Sequence, residues 1–246
     1  MRASRWAAIL AVVVAAAGCG SSSGATARQA ERPSTAAPTT TVAPPPATTI
    51  VATATVPSLS VFGAPSADGP SIASLSNPNE LGAPLVFRVK TQQPDWLQVM
   101  LPMRPNGIDG WIHSTDVTLS ESEWRVQVQL GTHHLTVWRG NDVVTDGPVA
   151  VGTPSAPTPT GDYYLTELLD TGNPGGPYGP YAFGLSSYSD VYTEFAGGPG
   201  QIGLHGTNAP DVLGTDVSHG CIRVDNDTIT KLAFELPVGS PIVVAA

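Results

Sequence analysis

Glycine and proline punctuate this chain so densely, at 26 and 24 of 246 positions, that few stretches are long enough to propagate a helix. Where the interruptions relent, apolar and polar residues alternate with a period of two, which suits short, half-buried strands. Leu85-Val86-Phe87-Arg88-Val89-Lys90 and Trp96-Leu97-Gln98-Val99-Met100-Leu101 are of this kind, and Arg125-Val126-Gln127-Val128-Gln129-Leu130 alternates strictly. Leu135–Trp138 and Val143-Val144 flank Gly140-Asn141 as the arms of a hairpin. One segment alone reads as a helix. Ile229, Leu232, Ala233 and Leu236 recur at helical spacing, Asp227 stands where it can cap, and Pro237 with Gly239 ends the run. Pro241–Val244 then reads as a closing strand, and the expected class is mainly β with one late helix.

The two ends of the chain differ in kind. Arg2 and Arg5 precede an apolar run from Ala7 to Ala17, eleven residues where a membrane-spanning helix needs about 20, so residues 1–18 read as a cleaved export signal. Ala16-Ala17-Gly18-Cys19 resembles the lipobox of bacterial lipoproteins, which implies a lipid-modified Cys19 and a membrane-anchored exported protein; an ordinary secretory signal is the alternative. Residues 19–56 contain no aromatic side chain and are dominated by Ser, Thr, Ala and Pro, as in Thr39-Thr40-Thr41 and Pro44-Pro45-Pro46. Such a tract buries too little apolar area to offset its ordering entropy, so a disordered tether is expected. Residues 57–121 read as a small β domain. Trp96-Leu97-Gln98-Val99 and Gly110-Trp111-Ile112 resemble the last strands of bacterial SH3-like barrels, with an immunoglobulin-like module as the competing architecture; Trp96 and Trp111 are core aromatics or a ligand platform. The net charge of −9, concentrated in residues 122–246, argues against a nucleic-acid partner.

That acidic C-terminal half holds the chemistry. Cys221 is one of two cysteines, and the other, Cys19, ends the export signal, so the mature chain carries an unpaired thiol in its globular part. A cysteine attacks a carbonyl as its thiolate, so it needs a group that lowers its pKa or removes its proton. Two histidines qualify. His219 lies two residues before it, and His205, between Gly203 and Gly206, lies sixteen residues before it. Gly220 permits a turn that exposes successive N–H groups to an oxyanion. Arg223 is the first Lys or Arg after Arg139 and adjoins the thiol, where it could hold a substrate carboxylate or pair with Asp225 or Asp216. Ser218 could orient His219 or cap a turn. His113, His133 and His134 have no sequence link to this cluster, and no metal-ligand spacing or cofactor motif occurs.

His205-Gly206-Thr207, followed by Ser218-His219-Gly220-Cys221-Ile222-Arg223, resembles the signature of the L,D-transpeptidase catalytic domain, the YkuD-like family. Val149–Gly152, Pro157–Gly161, Tyr178-Gly179-Pro180-Tyr181 and Gly239–Val243 agree with the family's order of segments, so the resemblance spans about residues 123–246. It implies a β-sandwich catalytic domain over residues 122–246 that acts on peptidoglycan stem peptides, is inhibited by carbapenems, and faces the cell wall. Cys221 would be the nucleophile, His205 the general acid/base oriented by the Gly206 carbonyl, and His219 a supporting residue. The Gly220 and Cys221 N–H groups would bind the oxyanion, and Arg223, Ser218 and Tyr181 would touch substrate. An L,D-carboxypeptidase or endopeptidase using the same residues with water, or a noncatalytic wall-binding lipoprotein, are the alternatives.

Overall fold

A computed structural model describes residues 48–66 and 68–246. The signal, Cys19 and most of the tether expected over 19–56 lie outside the described residues. Strands β1 (Thr49–Ala54), β2 (Ser58–Phe62), β3 (Ser71–Ser76), β4 (Val86–Gln93), β5 (Trp96–Met100), β6 (Asp109–His113) and β7 (Val117–Ser122) form one sheet in the order β3-β2-β6-β5-β4-β1-β7. The tether boundary at 56 is therefore corrected. β1 lies between β4 and β7, with Ala52 opposite both Phe87 and Leu119. Its Thr-Ile-Val-Ala-Thr-Ala sequence shares the Thr/Ala composition of the preceding tract, yet its β-branched residues suit a strand that is buried on pairing. β3 and β7 are the ends of the order and do not pair with each other, so the barrel closure expected of an SH3-like domain is not seen in the hydrogen-bonded order. Trp96 is 9% exposed and packs edge-on to Phe62, as a core aromatic would.

The second half comprises β8 (Trp124–Gln129), β9 (His134–Arg139), β10 (Asp142–Pro148), β11 (Val151–Gly152), β12 (Gly161–Asp170), β13 (Tyr181–Tyr188), β14 (Gln201–His205), β15 (Asp216–Ser218), β16 (Ile222–Arg223) and β17 (Pro241–Ala245). Eight of them form a sheet ordered β10-β9-β8-β17-β12-β13-β14-β16, and β11 pairs with β15. The β9–β10 hairpin turns at Gly140, whose φ of 58° suits glycine. β17 adds in parallel beside β8, with Ile242 opposite Val126. Helix α1 (Asn226–Glu235) packs Ile229 and Leu232 into the core. Its cap is Asp225, not Asp227: the Asp225 backbone is extended and its carboxylate accepts from Thr228 N at 2.8 Å and from the Thr228 hydroxyl at 2.6 Å. Asp227 stands in the first turn, where its charge favours the helix N-terminus.

The two sheets meet at a small cluster of Val51, Val86, Met100 and Tyr164, with Val238 against it. Tyr164 is fully buried, and its hydroxyl donates to the Val86 carbonyl at 3.1 Å. Arg88 pairs with Asp162, and Asn79 Nδ2 donates to Glu167 at 3.0 Å across the same seam.

Tyr164→Phe removes a donor from a buried carbonyl and should cost about 1–2 kcal/mol, whereas Tyr164→Ala, which also leaves a cavity, should cost about 3–5 kcal/mol. Urea denaturation measures both, and a Tyr164→Phe variant as stable as the wild type would deny the hydroxyl a role.

Candidate active site

β14 and β16 pair in parallel at the edge of the second sheet, with Leu204 opposite Ile222 and His205 opposite Arg223. Val224 N donates to the His205 carbonyl at 2.9 Å, which extends the match by one residue. The pairing sets the histidine strand beside the segment that leaves Cys221. Gly203 provides the space between them. A Cβ on Gly203 would lie 3.8 Å from His205 Cδ2 and 3.9 Å from Cys221 Sγ, so imidazole and sulfur converge over a residue without a side chain. Gly203 N donates to Cys221 Sγ at 3.4 Å, and the thiol is half-buried.

His205 is 3% exposed, and its Nδ1 lies 2.6 Å from the Gly206 carbonyl. A carbonyl only accepts, so Nδ1 carries the proton and Nε2 is left with a free lone pair. Nε2 belongs to the same ring edge as Cδ2, the edge on the Gly203 side. Tyr178 packs edge-on against the imidazole with ring centroids 4.8 Å apart. Burial pushes His205 down from 6.5 to about 4; the Gly206 carbonyl opposes this and the Arg223 charge adds to it. Burial pushes the Cys221 thiol up, against the Gly203 N–H and Arg223, which pull it down. These directions favour a thiol beside a neutral imidazole at neutral pH, so any attack by this sulfur would require its proton to pass to a base.

The turn around Cys221 is held from inside. Ser218, 1% exposed, donates its hydroxyl to the Cys221 carbonyl at 2.6 Å and accepts from Gly220 N at 3.1 Å. Thr158 Oγ1 accepts from Gly152 N at 2.9 Å and donates to the Gly220 carbonyl at 2.8 Å. Gly220 has φ 119°, and a Cβ there would stand 3.0 Å from Ile202 Cδ1. Two expectations change. The Gly220 N–H is already bonded to Ser218, so of the two expected oxyanion donors it is the Cys221 N–H that makes no such bond. Ser218 is occupied within the turn and is not available to a substrate.

Tyr181 also differs from its expected place. Its ring lies 5.9 Å from that of Phe234 on α1 and packs on the core, while Tyr178, three residues earlier, is the tyrosine against His205. His219 is exposed and clusters with Phe195 at 5.1 Å and, edge-on, with Tyr192 at 5.9 Å, two rings that also meet each other at 5.6 Å. Arg223 makes no ion pair among the described residues, and its Nε is buried without a partner. The two carboxylates available to it by sequence are taken elsewhere: Asp225 caps α1, and Asp216 bonds His133 at 2.8 Å. Its position leaves it close enough to act on His205, Cys221 and Tyr178 by charge.

Thr158 and Asn226 are the site residues that sequence reading missed. Asn226 Oδ1 accepts from Thr207 N at 2.9 Å while its Nδ2 donates to the Pro174 carbonyl at 3.2 Å, joining the His205-Gly206-Thr207 segment to the loop that carries Tyr178. Gly179 and Gly206 approach so closely there that a Cβ on Gly179 would be 2.6 Å from Gly206 Cα. No sequence signal separates Asn226 from an ordinary first-turn residue. No group of three His, Cys, Asp or Glu side chains among the described residues is arranged to hold a metal ion.

A mainly β domain that sets a histidine and a thiol on neighbouring edge segments is thus the class the geometry defines. Residues 123–244 match the family model of the L,D-transpeptidase catalytic domain, YkuD, and form a YkuD-like domain. The Bacillus subtilis protein YkuD is 35% identical over 121 residues, covering 49% of this chain and 65% of its own. The Bacillus licheniformis YkuD is 33% identical over 117 residues, covering 48% and 62%. The chain therefore spans just under two thirds of the length of these relatives. A solved L,D-transpeptidase 3 from Mycobacterium tuberculosis, in complex with a faropenem-derived adduct, is 18% identical with a TM-score of 0.41, over 58% of this chain and 76% of that one.

The folded-state pKa of about 4 for His205 lies below its ordinary 6.5, so the unfolded chain binds a proton that the folded one refuses. The resulting stability is whole above pH 6.5 and is lost as pH falls toward 4, on the order of 3 kcal/mol. His205→Ala should flatten the fall in urea midpoint between pH 7 and pH 4.5 relative to the wild type; parallel curves would show that His205 titrates normally.

Proposed function

We propose that the chain is a peptidoglycan L,D-transpeptidase working through a Cys221 thioester. The observation that carries the reading is the convergence of His205 and Cys221 over Gly203, with Nδ1 held by the Gly206 carbonyl so that Nε2 is the free base. Cys221 attacks the carbonyl between the third and fourth residues of a tetrapeptide stem as Nε2 takes the thiol proton. The Cys221 N–H stabilises the developing oxyanion. The imidazolium then gives its proton to the leaving D-alanine amine, and the C–N bond breaks to leave a thioester. An acceptor amine attacks the thioester, losing its proton to Nε2, and the thiolate leaves and is reprotonated. Arg223, a cation with no carboxylate partner among the described residues, holds a stem carboxylate. Burial keeps His205 neutral at working pH, which keeps the base ready for each transfer.

Export under the residues 1–18 signal and lipid attachment at Cys19 are part of the proposal, supported by the Arg2, Arg5, apolar-run and lipobox pattern. They would hold the YkuD-like domain on the outer face of the membrane, with the seven-stranded N-terminal sheet, proposed as an SH3-like wall module, beside it.

Purified chain given a disaccharide-tetrapeptide should show a transient acyl-enzyme mass and release D-alanine, and a carbapenem should add its mass to the wild type but not to Cys221→Ala. His205→Ala should slow acylation about 10²–10⁴-fold. A crosslinked dimer identifies an amine acceptor, and a tripeptide alone identifies the carboxypeptidase outcome. Absence of both D-alanine release and carbapenem adduct would sink the acyl-transfer reading and favour the noncatalytic wall-binding alternative.

A further inference from the structure

A loop that packs against His219, two residues from Cys221, is anchored by the other half of the molecule. Between β13 and β14, residues 189–200 leave the sheet. The loop is closed at its base by Ser189 N donating to the Gly200 carbonyl at 2.8 Å, and within it the Ser189 hydroxyl accepts from Val191 N and Tyr192 N. Most of it is exposed, including Val191 and Phe195. Its aromatic pair, Tyr192 and Phe195, packs together and against His219, two residues from the thiol. The loop therefore sets the surroundings of His219, although it has little core of its own to fix it.

The fixing groups come from the connection between β5 and β6 in the N-terminal sheet. Arg104 donates to three carbonyls of the loop: Pro199 at 2.8 Å, Tyr192 at 2.9 Å and Ser189 at 3.2 Å. Its guanidinium also sits 4.7 Å from the centroid of the Tyr188 ring. Asn106 reads the strand end just before the loop, donating to the Tyr188 carbonyl at 2.7 Å while its Oδ1 accepts from Tyr188 N at 2.8 Å. The Tyr188 hydroxyl returns the contact by donating to the Pro102 carbonyl at 2.8 Å. Gly200 shows how close the fit is. Its φ is 71°, and a Cβ there would press on the Tyr192 carbonyl and approach Arg104 Nη2 to 3.1 Å.

A planar guanidinium with five donors can hold three carbonyls that point at it from different parts of a loop, which the compact ammonium of lysine cannot do in the same geometry. Carbonyls of an exposed loop could equally be satisfied by water, so the bonds are not needed for folding. Their effect is to select one loop conformation, the one that sets Tyr192 and Phe195 against His219.

We propose that Arg104 and Asn106 are positioning residues for the Cys221 site, acting from the N-terminal sheet through the 189–200 loop to set the wall against which a stem peptide binds. The proposal rests on the reading of Cys221 as the acylated residue only where it concerns substrate. The position of the loop itself is read from His219. Freeing the loop lets it sample conformations that do not bind, which lowers apparent affinity by the fraction lost and leaves the chemical step alone.

The test compares wild type with Arg104→Ala, Arg104→Lys and Asn106→Ala in the full chain. Arg104→Ala should raise KM for a disaccharide-tetrapeptide about tenfold with kcat within about twofold, and Arg104→Lys should recover only part of that loss. The melting temperature should stay within a few degrees. The His219 ring-proton resonances should lose the ring-current displacement from Tyr192 and Phe195 in Arg104→Ala, an observation independent of whether the chain turns over substrate. Unchanged His219 resonances and unchanged KM would overturn the proposal, as would a joint fall of kcat and melting temperature that lysine restores in full. If the wild type neither releases D-alanine nor reacts with a carbapenem, the functional reading fails, while the His219 resonances still decide whether Arg104 positions the loop.

Discussion

Two residues of parallel pairing at the edge of the eight-stranded sheet organise the site. Leu204 and His205 on β14 lie beside Ile222 and Arg223 on β16, and this brings a histidine and a cysteine from separate segments together over Gly203. The rest serves this short contact. Asp225 begins α1 right after the pairing ends, α1 presses Ile229 and Leu232 into the core, and Asn226 ties the His205 segment to the Tyr178 loop. Ala150 exchanges backbone bonds with Arg223 on its other side, 2.8 and 2.9 Å long, so β16 is held from two directions despite its length. Edge pairing of so few residues is weak by itself, and the packing around it is what makes it definite.

Burial then chooses the chemistry. The same enclosure that drives the imidazole toward its neutral form raises the thiol, so the site holds no ready-made thiolate–imidazolium pair. A neutral pair needs its base aimed before substrate arrives, and the Gly206 carbonyl does this by accepting a hydrogen bond from Nδ1–H. Ser218 and Thr158 perform the matching service for the nucleophile by fixing the Gly220 and Cys221 carbonyls. On the proposed reading the Cys221 N–H is left to meet the oxygen of the group that the sulfur attacks.

Much of this was legible in sequence, for reasons that differ residue by residue. Strand alternation at 125–130 and the Gly140-Asn141 turn announced β8, β9 and β10, because local pattern and tertiary role agree there. His205, Gly206 and Cys221 stood out because glycine flanking a polar reactive side chain is informative without neighbours. β1 was hidden, since Thr49–Ala54 has the composition of the tract before it and declares itself only by pairing with β4 and β7. Asp225 and Asp227 are both plausible caps, and only the backbone angles decide between them. Tyr178 and Tyr181 share one short segment, and only the folded loop decides that Tyr178 meets the imidazole while Tyr181 turns to Phe234. Thr158, Asn226 and Arg104 act through bonds spanning from 19 to 95 positions, which no local pattern encodes.

The central claim is that His205 works as a neutral Nδ1–H imidazole whose Nε2 is the base for a half-buried thiol. Nitrogen-15 NMR of the folded chain, titrated from pH 5 to pH 8 and assigned with His205→Gln, tests it most directly. The account predicts a His205 signal that stays neutral across the range with the proton on Nδ1, in wild type and in Cys221→Ala alike. A His205 that titrates near its ordinary 6.5, carries its proton on Nε2, or becomes a cation only when Cys221 is present would contradict it.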